Sequence, residues 1–124
     1  MIRTLAVALL VSAPVVLAAQ DPLLTDGDKY TLVLENERVR VLEYRDEPGD
    51  KTSMHAHRAF VLRALSSFQR RLTFADGHSL ERSFVEGETL WMEAQSHIGE
   101  NIGTTDTHVL LVELLEPRPK KSPQ

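Results

Sequence analysis

His55 and His57 stand one residue apart, and that spacing is the first sign of chemistry in the chain. In an extended strand residues i and i+2 share a face and lie about 6.6 Å apart along the chain, so two imidazoles can turn towards a single ion. His97 comes forty residues after His57. It can join them only if a closed or doubled sheet brings a second strand alongside. With no cysteine in the chain, thiolate ligands, disulfides and a thiol nucleophile are excluded. A metal must then be held by imidazole, carboxylate or carbonyl groups. Three neutral imidazoles suit a divalent transition ion, with Fe, Mn, Ni or Zn the expected choices. His78, beside Asp76-Gly77, and His108, at the start of the last apolar run, have no partner at ligand spacing and read as surface residues.

The elements that must position these groups are short strands. Helical periodicity is hard to find after Gln20, while alternation and turn signals recur every eight to twelve residues. The strands run from Tyr30 to Leu34, Val39 to Tyr44, around His55-x-His57, and from Phe60 to Leu65. Further strands run from Phe68 to Phe74, Ser79 to Phe84, Thr89 to Met92, His97 to Ile102 and His108 to Leu115. Pro48-Gly49-Asp50 and Glu86-Gly87-Glu88 are turns, and Asp76-Gly77 between two alternating runs is a hairpin signal. About nine strands in one small domain suggest an antiparallel barrel or jelly roll.

Arg63 is charged in the middle of an apolar strand. If the alternation set by His57 continues unbroken, Val61, Arg63 and Leu65 face the metal, and Arg63 is the expected substrate-binding residue, gripping a carboxylate as a fork. If Arg58-Ala59 shifts the register, Phe60, Leu62 and Ala64 face inward and Arg63 points out. Gln95 and Glu93 read as solvated turn residues. Trp91 and Phe60 read as core or subunit-interface residues, and Asn101 as a turn support.

At 124 residues the chain holds one domain. Lys and Arg number 14 against 18 Asp and Glu, a net charge of −4, which argues against a general nucleic-acid binder. Met1-Ile2-Arg3 is a cationic start, Thr4 to Val16 is apolar apart from Ser12 and Pro14, and Leu17-Ala18-Ala19-Gln20 offers small residues for cleavage. Residues 1–19 therefore read as a secretory signal peptide. The expectation is a periplasmic or secreted protein with no membrane segment after cleavage. Residues 20–34 form an N-terminal segment with the first strand, 35–116 the barrel, and 117–124 a Pro-rich, charged and flexible tail.

Gly49, five intervening residues and His55-x-His57 form one signature; Gly87, then His97, three intervening residues and Asn101 form another. Together they resemble the two motifs of the cupin superfamily, G-x5-H-x-H-x3-4-E-x6-G and G-x5-P-x-G-x2-H-x3-N. The similarity runs through Glu37 to Leu42, Arg71 to Gly77 and Glu100 to Gly103, about residues 35 to 115 in all. It implies an all-β fold, the cupin-type antiparallel β-barrel (double-stranded β-helix or jelly roll). It also implies a metal inside the barrel on His55, His57 and His97, and a homodimer of small single-domain subunits.

The departures are specific. The positions of the family's glutamate ligand are occupied by Val61 and Leu62, and Ser66-Ser67 takes the place of the closing Gly. Glu93-Ala94-Gln95 replaces Pro-x-Gly, and His97 arrives one residue early. Without the carboxylate the ion would keep its full charge and favour an anion or hydroxide in its open positions. The resemblance thus implies a metal-dependent enzyme, dioxygenase- or isomerase-like, acting on a small anionic molecule. Its alternative is a non-catalytic module that binds a metal or small ligand on a degenerate site.

Overall fold

The structure is a computed structural model that describes residues 20–116. The expected signal peptide and the tail from residue 117 lie outside the described residues. Among the described residues one short helix, α1 (Pro22–Thr25), precedes nine strands. These are β1 (Tyr30–Glu35), β2 (Val39–Asp46), β3 (His55–His57), β4 (Phe60–Ala64) and β5 (Phe68–Phe74), followed by β6 (Ser79–Phe84), β7 (Thr89–Met92), β8 (Gln95–Asn101) and β9 (Thr107–Leu114). They form two antiparallel sheets, one ordered β1-β2-β9-β4-β7 and the other β3-β8-β5-β6. After β2 the chain passes repeatedly from one sheet to the other, so the sheets face each other as a jelly roll with the core between them.

The pleat sorts side chains into alternate rows. Leu42, Leu111, Leu62 and Leu90 stand in register across β2, β9, β4 and β7, and all but Leu90 are buried. One residue along, Leu34, Val41, Val112, Val61 and Trp91 make the matching outward row across all five strands, while of the inward row Leu42 alone is fully buried. The ends of the outward row, Leu34 and Trp91, are exposed. Phe60 lies in the core, one of the two roles expected of it, and Trp91 is exposed, its indole N–H donating to Glu93. From the opposite sheet Phe68 and Phe84 stack at 4.6 Å across the β5–β6 hairpin. That hairpin turns at Asp76-Gly77, where Gly77 takes φ +90°, a conformation that costs glycine nothing.

Two readings change. The helix α1 was not expected, because four residues are too few to show a period. Its start was nonetheless encoded: Asp21 accepts the Leu23 N–H as N-cap, and Pro22 opens the first turn. Strand β8 begins at Gln95, two residues before His97. That extension places Gln95 opposite His57 in a regular ladder and takes it out of the turn.

Candidate metal centre

Strands β3 and β8 bring the histidines together. Their antiparallel register sets His55 directly across from His97, so residues remote in sequence become neighbours. His57 follows on the same face of β3. Centroid separations are 4.7 Å for His55–His57, 4.8 Å for His55–His97 and 5.2 Å for His57–His97. One ring nitrogen of each lies within 4.8 Å of the other two. The rings are 0%, 2% and 5% exposed. Strand β3 is buried on both faces because the N-terminal segment covers its free edge: the Ala56 N–H donates to the Gln20 carbonyl at 2.9 Å.

What surrounds two of the rings fixes their tautomers. His55 Nδ1 lies 2.9 Å from the Ser53 carbonyl, and His97 Nδ1 lies 2.8 Å from Gln95 Oε1. Both partners are acceptors, so both nitrogens carry the proton. Gln95 is itself oriented by its amide, which donates to the Glu93 carbonyl. His57 Nδ1 faces Glu113 Oε2 at 3.5 Å, an electrostatic contact longer than a good hydrogen bond. Asp26 Oδ2 stands 3.5 Å from His55 Nδ1. With their Nδ1 atoms protonated against acceptors, His55 and His97 can offer Nε2 lone pairs to a common centre, and His57 can do the same when its Nδ1 turns its proton to Glu113. Oxygen acceptors behind metal-binding imidazoles are what orient such ligands. The donor set therefore fits a divalent transition ion.

Electrostatics agree. Burial, then the neighbouring His57, lowers the His55 pKa to about 4, and burial with His57 and His55 lowers that of His97 to about 2. Both rings stay neutral, as a ligand must be. Burial pushes the Glu113 carboxyl up, but the contacts with His57 and Arg40 outweigh it and hold it below the ordinary glutamate value. Arg40 Nε donates to Glu113 at 2.9 Å, and its guanidinium also pairs with Asp21. A chain of charges thus runs from the N-terminal segment through Arg40 and Glu113 to His57. Glu113→Gln is expected to weaken metal affinity by about 10–100-fold, the usual cost of losing such a support. Zn(II) titration calorimetry on folded protein would check it, and unchanged affinity would remove Glu113 from the site.

His57 and His97, with Tyr30, border a cavity between the sheets. Its open space, mouth included, is about 450 Å³. The enclosed part is small, so the structure accommodates a small ligand. The inner end is apolar, with Phe60, Leu62, Phe68 and Leu111 on its wall. A buried cation stands at the other side: Arg70, on β5, donates to Asp46 Oδ2 at 2.8 Å and to the Tyr44 hydroxyl at 2.9 Å. Its Cζ lies 4.7 Å from the Tyr44 ring centre. Gly99 makes room for it, since a Cβ there would fall 2.8 Å from Arg70 Nε. Asn101 bridges Asp46 and the Thr105 carbonyl while accepting the Gly103 N–H, so it braces the turn.

Arg63 is not brought to the cavity. The break at Arg58-Ala59 resets the alternation, so Phe60, Leu62 and Ala64 face inward and Arg63 faces solvent, donating to Thr89 Oγ1 at 2.8 Å. This corrects its placement as a substrate-binding residue. Glu93 is exposed, His78 is exposed beside Asp76, and His108 is half-buried near Glu43. Three groups at the site were not anticipated. Arg70 shares the inward parity of Phe68 and Leu72, and Glu113 that of Val109 and Leu111, so alternation carried a signal for both. Tyr30, whose hydroxyl lies 3.2 Å from His55 Nε2, had none.

No family sequence model and no curated protein sequence matches the chain. Solved structures do. A cupin domain from Bordetella pertussis Tohama I aligns over 70% of this chain and 92% of its own, at 26% identity and a TM-score of 0.64. An RmlC-like cupin family protein with a double-stranded β-helix fold from Methanocaldococcus jannaschii covers 72% of this chain and 81% of its own, at 16% identity and TM-score 0.56. The polyketide cyclase RemF from Streptomyces resistomycificus covers 73% of this chain and 66% of its own, at 18% identity and TM-score 0.52. The last two likenesses are of fold alone.

Proposed function

We propose that this chain, which belongs to the cupin superfamily, holds one divalent transition metal on His55, His57 and His97 and uses it to bind a small anionic molecule inside the barrel. The observation that carries this reading is the buried convergence of three imidazoles whose Nδ1 atoms face acceptors. Protonated nitrogens would repel at such a meeting point, and water would have to replace what burial removed. A cation answers both.

The bound ion would supply Lewis-acid polarisation of an oxygen on the ligand. The chain's own residues set what that ligand can be. The cavity's size limits it to a small molecule. Arg70, in place of Arg63, gives the wall its positive charge, although Asp46 already accepts one of its bonds. The apolar end excludes water and takes the ligand's carbon atoms. Dioxygenase- or isomerase-like chemistry on a small acid is the enzymatic form of this proposal. A non-catalytic binding module is the second form, and one feature favours it: the buried carboxylates near the cavity, Asp46 and Glu113, are both committed to arginines. Neither is free to move a proton.

Untagged purified protein is expected to carry about one metal ion per chain. Metal-free protein given Fe(II), Mn(II), Ni(II) or Zn(II) at a hundred times its dissociation constant gains about 2.7 kcal/mol, roughly 10 °C or more in Tm for a domain this size. His57→Ala abolishes both uptake and shift. Wild-type protein that takes up none of the four ions would end the reading. Oxygen consumption with a panel of small acids and diketones separates the enzyme from the binding module.

A further inference from the structure

We infer that Tyr30 is the fourth protein ligand of this ion, its phenol oxygen completing the set made by His55, His57 and His97. The inference rests on the metal-binding reading above and concerns who else touches the metal. Among the described residues, the three histidines form the one His/Cys/Asp/Glu cluster placed to ligate, and no carboxylate joins it. The Tyr30 oxygen does reach it, 3.2 Å from His55 Nε2 and 3.5 Å from His57 Nε2. Two ligand atoms bonded at about 2.0–2.1 Å to one ion lie roughly 2.9–3.4 Å apart, from octahedral to tetrahedral angles. The phenol oxygen already stands from His55 Nε2 at the separation that neighbours on a shared ion adopt, and from His57 Nε2 just beyond it.

Hydrogen bonding alone leaves the contact incomplete. Where His57, like His55, carries its proton on Nδ1 towards its acceptor, both imidazoles face the hydroxyl with lone pairs, and one O–H can donate to only one of them. The second nitrogen then meets an oxygen across 3.2–3.5 Å with no proton between them. An unpaired acceptor in so buried a place is costly; a cation bonded to all three atoms removes the conflict. On coordination the metal–oxygen bond forms, the O–H bond breaks and the proton leaves to solvent. The site's formal charge then falls from +2 to +1.

The strand is shaped around this residue. Tyr30 is the one buried side chain of β1, with residues 31–35 all exposed. Its backbone N–H donates to the Asp26 carbonyl, and its ring lies 4.6 Å from that of Tyr44. Two fixed points therefore aim the hydroxyl at the histidines. Tyr44, the chain's other tyrosine, has its hydroxyl engaged by Asp46 and Arg70.

The test is spectroscopic. Full-length protein loaded with Fe(II) and oxidised to Fe(III), and separately loaded with Cu(II), should show a visible phenolate-to-metal charge-transfer band with tyrosinate ring modes in resonance Raman. Histidine ligation alone gives no tyrosinate modes. Tyr30→Phe, confirmed folded by circular dichroism, should lose the band and the modes, keep iron or copper on the histidines, and bind Zn(II) at least about tenfold more weakly. Wild-type protein that binds either ion without tyrosinate modes overturns the inference, and needs no variant to do so. A Tyr30→Phe protein with unchanged spectrum and affinity overturns it too. Wild-type protein that binds no metal overturns both this and the reading beneath it.

Discussion

Asp46→Ala is expected to destabilise the protein by about 3–5 kcal/mol, the range for removing one partner of a buried ion pair. Asp46 is 6% exposed and its carboxylate takes bonds from Arg70 Nη1, the Tyr44 hydroxyl and Asn101 Nδ2. Burial pushes its carboxyl up, yet the bonds from Tyr44, Arg70 and Thr107 more than compensate and hold it below the usual aspartate value. Without it the Arg70 guanidinium, 9% exposed, keeps its charge and loses its counter-ion. At about 4–8 °C per kcal/mol for a small domain, the Tm should fall by more than about 10 °C. Arg45→Ala, which breaks an exposed pair with Glu43, is the contrast. It should stay within about 0.5 kcal/mol. The paired change Asp46→Ala with Arg70→Met should recover part of the loss, because it removes the stranded charge as well. Urea midpoints of the four proteins measure all of this; equal midpoints for wild type and Asp46→Ala would contradict it.

Acid should unfold the metal-free protein earlier than its carboxylates alone would. In the fold His55 stays neutral to about pH 4 and His97 to about pH 2, because burial and the adjoining imidazoles disfavour charge. In the unfolded chain both protonate near pH 6.5. Below that pH the unfolded state binds more protons than the folded one, so acidification favours unfolding. The loss begins near pH 6.5 and grows until pH 4 for His55, reaching on the order of 3 kcal/mol from this ring alone. His97 extends the loss further down. Asp46 and Glu113, whose folded pKa values are lowered, lose their contributions only below the ordinary carboxylate range, in the same direction. A decline between pH 6.5 and 5 is therefore the histidine signature. Urea denaturation of metal-free protein across that interval measures it, and a flat midpoint would show that the two rings are not buried neutral. Zn(II) at neutral pH should raise the whole curve by linkage.

The strands and the three imidazoles were legible because their signals are local or repeated. Strands β5, β6 and β7 have the expected limits, since each is bounded by a turn with its own chemistry, such as Asp76-Gly77. His55-x-His57 announces itself by parity, and His97 follows from the cupin resemblance. Arg63 shows where parity ends. A two-residue irregularity at Arg58-Ala59 flips every later side chain, and nothing in the sequence tells whether those residues continue the strand or interrupt it. Arg70 and Glu113 could have been found, because each breaks an inward-facing apolar series on its own strand. Gln95 was hidden by a misplaced strand start. Tyr30 was out of reach: its burial depends on how α1 docks against β3, and no pattern within β1 singles it out.

That docking has a practical edge. The stretch from Gln20 to Tyr30 looks like a spacer ahead of the barrel, yet it contributes the carbonyl that closes the edge of β3, Asp21 behind Arg40, Asp26 behind His55, and Tyr30 itself. A shortened polypeptide beginning at residue 35 would retain every imidazole while opening their pocket to bulk water. The apparent spacer is a stopper, and the smallest piece worth producing starts upstream of it.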